Sequence, residues 1–303
     1  MRRNPPGGRH LALAGLLLFA GLLDAQEAAR APEAPVDRLY DLSYRDASGE
    51  ELKVDIVRPL EGPGPYPALL VVHAGGWREG SREEARRLLG PLARRGYVAV
   101  APSYRFAPQN PYPAALLDLK AVVRWLRGNA ASLKVDPARI GAIGFSAGGH
   151  LALLLAVTGP NDGYDTEAGK GAPSSAIQAV VNFYGPTDLT AADFPAPTAD
   201  MIKDLLGGPA AQKPDLARQA SPVTWVSAGD PPILMLQGSD DDTVPPNQSQ
   251  KLEEAMKRAG VKGRVEIIPG AKHGFDDTKL PAVLGQAVDF LEANLKGKDA
   301  SKG

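Results

Sequence analysis

Six residues constrain this chain most: Gly144-Phe145-Ser146-Ala147-Gly148-Gly149. A short apolar run, Arg139 to Ile143, leads into them, and a second, Leu151 to Val157, leaves at helical length. A serine between strand and helix, with glycine two residues to either side, is the pattern of a sharp elbow that lifts the serine clear of a sheet. Glycines at 144 and 148 remove side chains that so tight a bend would drive into neighbouring backbone. The helix that follows points its unpaired N–H groups and partial positive charge at the space above the serine. An elbow of this kind needs a buried strand beneath it, so the rest of the chain must supply an open sheet with helices packed on it.

It does so in order. Leu39 to Arg58 reads as two strands around the turn cluster Asp46-Ala47-Ser48-Gly49. Ala68 to Val72 is continuously apolar, as a strand covered on both faces must be. Tyr97–Ala101, Ala176–Tyr184, Pro232–Gln237 and Arg264–Ile268 are further strands. Between them lie helices. One starts at Ser81, with Glu84 three residues on in a capping-box pattern, and ends near Gly96. Another, Pro111 to Arg127, carries Ala115, Leu119, Val122, Val123 and Leu126 on one face. Gln248–Arg258 is stopped by Gly260, and Pro281–Leu295 closes the domain. Alternating strands and helices predict an α/β fold with a mainly parallel sheet covered on both faces. The alternation lapses between Pro186 and Gly229, where helix-like pieces such as Ala199–Leu206 sit among prolines. We read about 186–229 as a small insertion on the substrate side, the other reading being an ordinary long connection.

Arg2 and Arg3, an apolar run from Leu11 to Leu23 and then Asp24-Ala25-Gln26-Glu27 read as a secretory signal peptide cleaved after Ala25. The expected organisation is therefore 1–25 signal peptide, 26–36 disordered lead-in, 37–297 main domain and 298–303 polar tail. It places the protein outside the cytoplasm, secreted or periplasmic, with no stable membrane association after cleavage. The chain of 303 residues has no cysteine, which rules out disulfides, a thiolate nucleophile and cysteine-held metals. Its four histidines, His10, His73, His150 and His273, include no pair at zinc-site spacing. A net charge of −1 with interspersed signs gives nucleic acid nothing to bind. We expect no metal, no cofactor and no nucleic-acid partner.

A serine hydroxyl attacks well only beside a base. Two later loops can supply the base and an acid to orient it. Gly238-Ser239-Asp240-Asp241-Asp242-Thr243-Val244-Pro245 follows one strand, and Pro269-Gly270-Ala271-Lys272-His273-Gly274-Phe275 follows the last. Both leave carboxyl ends of strands, where sites form in such sheets. His273 is the candidate base. Any of Asp240, Asp241 and Asp242 can be the acid, the others being turn formers. His73-Ala74-Gly75-Gly76-Trp77 follows a buried strand, and its glycines let backbone N–H groups turn inward. Gly75 and Gly76, joined by the N–H of Ala147, are the candidate oxyanion hole. His73 is expected to brace its loop and His150 to be structural. Trp77 and Tyr184 are candidates to line the substrate site, with a core role as the alternative.

These stretches, with Tyr104-Arg105-Phe106-Ala107-Pro108, Asp136-Pro137-Ala138-Arg139-Ile140-Gly141, Asn182-Phe183-Tyr184-Gly185-Pro186-Thr187-Asp188 and Ser221-Pro222, resemble the α/β-hydrolase superfamily. Within it the chain is similar to the acetyl esterases and the feruloyl/acetyl-xylan esterases related to hormone-sensitive lipase, over roughly residues 37 to 297. The resemblance implies a Ser146–Asp241–His273 triad, the family acid lying three residues before the Val of a Val-Pro pair, here Val244-Pro245. It also implies a serine esterase acting on acylated plant polysaccharide such as xylan. A serine peptidase of prolyl-oligopeptidase type and a noncatalytic binding protein on the same scaffold are the rival readings. The chain departs from the family at Ala74, where Gly is common, and at Gln237, where His is common.

Overall fold

The computed structural model describes residues 34–45, 48–159, 162–165, 171–276 and 278–296. The expected signal peptide 1–25, most of the lead-in 26–36, Asp46 and Ala47 of the first turn, and the tail 298–303 lie outside the described residues.

Eight strands form one sheet: β1 (Val36–Arg45), β2 (Glu51–Pro59), β3 (Tyr66–Val72), β4 (Val98–Pro102), β5 (Val135–Phe145), β6 (Ala179–Phe183), β7 (Ile233–Gly238) and β8 (Gly263–Ile268). Their order across the sheet is β1-β2-β4-β3-β5-β6-β7-β8. β2 pairs antiparallel with β1 and β4, and every pair from β4 to β8 is parallel. The helices are α1 (Arg82–Arg94), α2 (Ala114–Gly128), α3 (Ala130–Leu133), α4 (Ala147–Val157), α5 (Ala196–Leu206), α6 (Pro214–Gln219), α7 (Pro222–Trp225), α8 (Asn247–Ala259) and α9 (Leu280–Leu295).

The continuous apolar strands serve two cores at once, because successive side chains leave opposite faces of a strand. In β3, Leu70 and Val72 join the core under α2, α4 and α8, whereas Leu69 and Val71 join the core under α1 and α9. In β5, Ala142 faces the first core and Ile143 and Phe145 the second. Every residue of α4 is buried, which explains why its sequence lacks the polar stripe of a surface helix. This two-sided layering is the expected α/β-hydrolase arrangement.

The strand order sets the position of the site. From β3 the chain runs outward to β4, then returns to β5 on the other side of β3. Helix α1, after β3, covers one face, and α4, after β5, covers the other. The two loops diverge and leave a crevice at the carboxyl ends of β3 and β5, the topological switch point where open α/β sheets place their ligands. The glycine loop 73–77 and Ser146 stand on its two sides.

Element boundaries differ from the sequence reading by a few residues, and one local expectation is corrected. Ser81 begins α1, but no capping box forms: its side chain makes no cap hydrogen bond. Instead the backbone N–H of Glu84 reaches the Ser81 carbonyl at 3.3 Å, closing the turn without help from either side chain. The stretch 186–229 holds three helices, α5 to α7, and one 3-10 turn, Ala210–Gln212. Their prolines stand in first turns, at 197, 214 and 222, where a missing N–H costs nothing.

Candidate active site

Ser146 occupies the elbow between β5 and α4 at φ 52°, ψ −119°, a left-handed conformation that a side-chain-bearing residue adopts only when its surroundings enforce it. Two hydrogen bonds enforce it here. The Ser146 N–H donates to the Phe183 carbonyl at 2.9 Å, tying the elbow to the end of β6, and His150 N–H donates to the Ser146 carbonyl at 3.0 Å. Space is equally restrictive. A Cβ on Gly148 would overlap the carbonyl oxygens of Val72 and His73, and one on Gly144 would overlap the backbone of Gly148. The elbow is wedged against the end of β3, which brings the glycine loop within reach of the serine.

His273 lies in the loop after β8 and is mostly covered, its side chain 19% exposed. Its Nε2 is 2.9 Å from Ser146 Oγ. Its Nδ1 is 2.9 Å from Asp241 Oδ2 and 3.1 Å from Oδ1. With Nδ1 carrying the proton toward the carboxylate, Nε2 is left as the acceptor for the serine hydroxyl. The Tyr184 ring stands edge-on to the imidazole at 4.7 Å between centroids, and burial pushes its phenol up from its ordinary pKa. The two loops are stitched together by Asp240 N–H to the Ala271 carbonyl at 2.9 Å and Gly270 N–H to Ser239 Oγ at 2.8 Å.

Among the three aspartates, Asp241 alone is buried, while Asp240 and Asp242 are exposed. Asp241 Oδ1 accepts the backbone N–H groups of Thr243 (2.9 Å) and Val244 (2.8 Å), which curl the loop around the carboxylate. Oδ2 accepts the Gln237 side-chain amide at 2.8 Å as well as His273.

Gly75 and Gly76 take φ 131° and 58°, the left-handed half of the map, and Trp77 follows at φ 61°. The Gly75 carbonyl is turned away, accepting N–H groups of Arg78 and Glu79. Among the described residues, no protein acceptor pairs with the N–H groups of Gly75 or Gly76. With Ala147 in the first turn of α4, whose N–H has no intrahelical partner, they supply N–H donors around the switch-point crevice.

His73 and His150 have other duties. His73 is buried, with Nδ1 2.8 Å from the Ala74 carbonyl and its ring stacked on Tyr104 at 4.3 Å. Burial lowers its pKa to about 4. His150 is wholly buried, with Nε2 2.7 Å from the Ala220 carbonyl, and burial lowers its pKa likewise to about 4. Trp77 is not in the open cleft. It is 3% exposed and donates its indole N–H to His150 Nδ1 at 3.1 Å, so it holds the glycine loop to α4. Its left-handed backbone turns the ring inward, which a sequence pattern does not reveal.

The structure adds two things to the sequence reading: a role for Gln237, and contacts for the region read as an insertion on the substrate side. Gln237 was singled out only as a departure, yet it binds the carboxylate of Asp241. The region 186–229 touches both arms of the site. Met201 on α5 packs against Gly76, and Arg78 pairs with Asp200 and with Asp204, the latter at 2.7 Å. Thr198 donates to the Thr243 carbonyl at 2.9 Å, beside the acid loop. One helix therefore bridges the glycine loop and the aspartate loop.

The chain is similar to proteins named as esterases. A family model described as BD-FAE matches residues 54–256. Esterase LipC of Mycobacterium tuberculosis is 35% identical over 233 residues, covering 74% of this chain and 57% of its own length. The chain spans less than two thirds of the length of the curated relatives it matches first. Among solved structures, the thermophilic esterase Est2 of Thermogutta terrifontis superposes with TM-score 0.71 at 30% identity, over 90% of this chain and 95% of that one. The acetyl ester-xyloside bifunctional hydrolase of Caldicellulosiruptor lactoaceticus gives TM-score 0.67 at 28% identity, over 78% and 87%.

Proposed function

The chain belongs to the BD-FAE family, and on that premise we propose that it hydrolyses carboxylic esters through an acyl-enzyme on Ser146. The observation that carries the reading is the relay of two 2.9 Å contacts, Ser146 Oγ to His273 Nε2 and His273 Nδ1 to Asp241 Oδ2. His273 Nε2 takes the hydroxyl proton as Ser146 Oγ attacks the ester carbonyl. The carbonyl oxygen becomes an oxyanion facing the N–H groups of Gly75, Gly76 and Ala147. As the tetrahedral adduct collapses, His273 gives its proton to the departing alkoxide. Water, deprotonated by the same Nε2, then attacks the acyl-serine and releases the acid. Asp241 keeps the imidazole in the tautomer that each step needs.

The substrate class we propose is a short acyl or feruloyl ester of a plant polysaccharide such as xylan. Two structural neighbours support it by name: the acetyl ester-xyloside hydrolase and a truncated carbohydrate esterase from gut microbiota, the latter 26% identical with TM-score 0.71. The basic start and apolar run of residues 1–25 support export before action on such a polymer. The test is a panel of acetylated xylan, methyl ferulate and nitrophenyl esters of rising acyl length. Release of acetate or ferulate from carbohydrate esters at a higher kcat/KM than from simple alkyl esters is expected. Preference for long acyl chains, with xylan untouched, would refute the substrate class.

A further inference from the structure

Gln237 sits at the end of β7, wholly buried, in a run of apolar residues from Ile233 to Leu236. Its amide nitrogen makes two hydrogen bonds, to Asp241 Oδ2 at 2.8 Å and to the Val244 carbonyl at 3.2 Å. Its carbonyl, Oε1, is buried with no hydrogen-bond partner among the described residues. The orientation is compelled. Turning the amide over would set Oε1 against a carboxylate oxygen, acceptor against acceptor, and would also forfeit Val244.

An apolar side chain would fill this position without an orphaned acceptor, so packing does not account for the amide. What it does is close a ring: Val244 N–H binds Asp241 Oδ1, Gln237 binds Asp241 Oδ2, and Gln237 also binds the Val244 carbonyl. The backbone N–H groups of Thr243 and Val244 hold the carboxylate at Oδ1 only. The amide adds a restraint at Oδ2, the oxygen that His273 uses, and leaves its remaining lone pair facing His273 Nδ1.

We propose that Gln237 is a positioning residue for ester hydrolysis, its amide fixing the Asp241 carboxylate and through it the His273 tautomer. The inference rests on the esterase reading of the site. It acts on the chemical step and not on substrate contact, so its signature is in kcat. Gln237→Met keeps the length and removes both donors. Gln237→His restores a ring N–H. The expected result for Gln237→Met is a fall in kcat of about tenfold to a hundredfold, the scale of one hydrogen bond to a charged group, with KM within about twofold. The proton resonance of His273 Nδ1–H should shift or broaden in the same variant. Gln237→His should recover most of kcat. A Gln237→Met protein with kcat within twofold of wild type and an unmoved Nδ1–H resonance overturns the proposal, as does a Gln237→His protein no faster than Gln237→Met. Should Gln237→Met not fold, the side-chain amide protons of Gln237 are compared between wild type and Asp241→Asn: a large shift confined to that amide supports the link, and an unmoved pair overturns it. Fluorophosphonate labelling of wild type separates the two levels of the argument. An unlabelled, inactive wild type removes the esterase reading, whereas a labelled, active one with an indifferent Gln237 removes only this inference.

Discussion

Replacing Asp241 by asparagine tests the site at its least obvious member. The carboxylate accepts four donors in the native structure: two backbone N–H groups at Oδ1, and Gln237 and His273 at Oδ2. Asparagine can keep its carbonyl toward Thr243 and Val244, which presents its NH2 to Gln237 and His273. Gln237 can turn over and accept that NH2 on the oxygen that is otherwise unpaired, at the cost of its bond to Val244. Stability should then change by only about 1–2 kcal/mol, one hydrogen bond exchanged for another. His273 has no such escape. Facing a donor, its Nδ1 must become an acceptor, and the proton moves to Nε2, the atom that has to receive the Ser146 proton. The wrong tautomer costs on the order of 10⁴ in kcat, about 5 kcal/mol of transition-state stabilisation. Asp240 and Asp242, exposed, and with carboxylates that among the described residues accept only a neighbouring hydroxyl, should tolerate the same change within about tenfold. The assay is kcat on nitrophenyl acetate for the three variants side by side, each checked by thermal melting. A folded Asp241→Asn protein within tenfold of wild type would refute the reasoning, and a severe loss at 240 or 242 with 241 spared would move the acid by one position.

Other consequences follow from burial and close contact. His73 and His150 are held near pKa 4 by burial, below the 6.5 of an unfolded histidine. The unfolded chain therefore takes up protons first as pH falls, and stability should drop between about pH 6.5 and 4 by on the order of 3 kcal/mol per histidine. Urea unfolding across that range checks it, and a flat stability curve would contradict it. Gly148→Ala drives a methyl group into the carbonyls of Val72 and His73 and should lower Tm by on the order of 10 °C, whereas Gly285→Ala in α9, with open space around it, should be neutral or slightly stabilising. Equal effects of the two in calorimetry would show that the elbow is not so tightly wedged. If residues 1–25 are removed on export, the mature protein begins at Gln26, which intact mass measurement on exported material reads directly; a retained Met1 would overturn the export proposal.

The centre of the sheet is legible because strands such as β3 and β4 are buried on both faces and so carry no polar interruption, and because strand and helix alternate at short intervals. Ser146 was legible because the elbow's glycines are forced by local crowding. The acid was not legible from local chemistry. Three adjacent aspartates share composition and position, and only the tertiary path of the loop buries Asp241 and turns its neighbours outward. That choice needed the spacing to Val244-Pro245. The role of α5 was hidden for the same reason. Its contacts with Gly76, Arg78 and Thr243 join segments more than forty residues apart, and nothing in its own periodicity points to them. For Trp77 the sequence leaves the substrate site and the core both open, and a backbone at positive φ, invisible in a sequence, sends the ring into the core.

The central claim is that Ser146, activated by His273, forms a covalent acyl intermediate. Treating the native enzyme with a fluorophosphonate and mapping the adduct by peptide mass spectrometry tests it most directly. The account predicts stoichiometric modification of Ser146, complete loss of esterase activity in step with labelling, and no labelling of Ser146→Ala or of His273→Ala on the same timescale. Labelling at another serine, or full activity in a protein fully modified at Ser146, would contradict it.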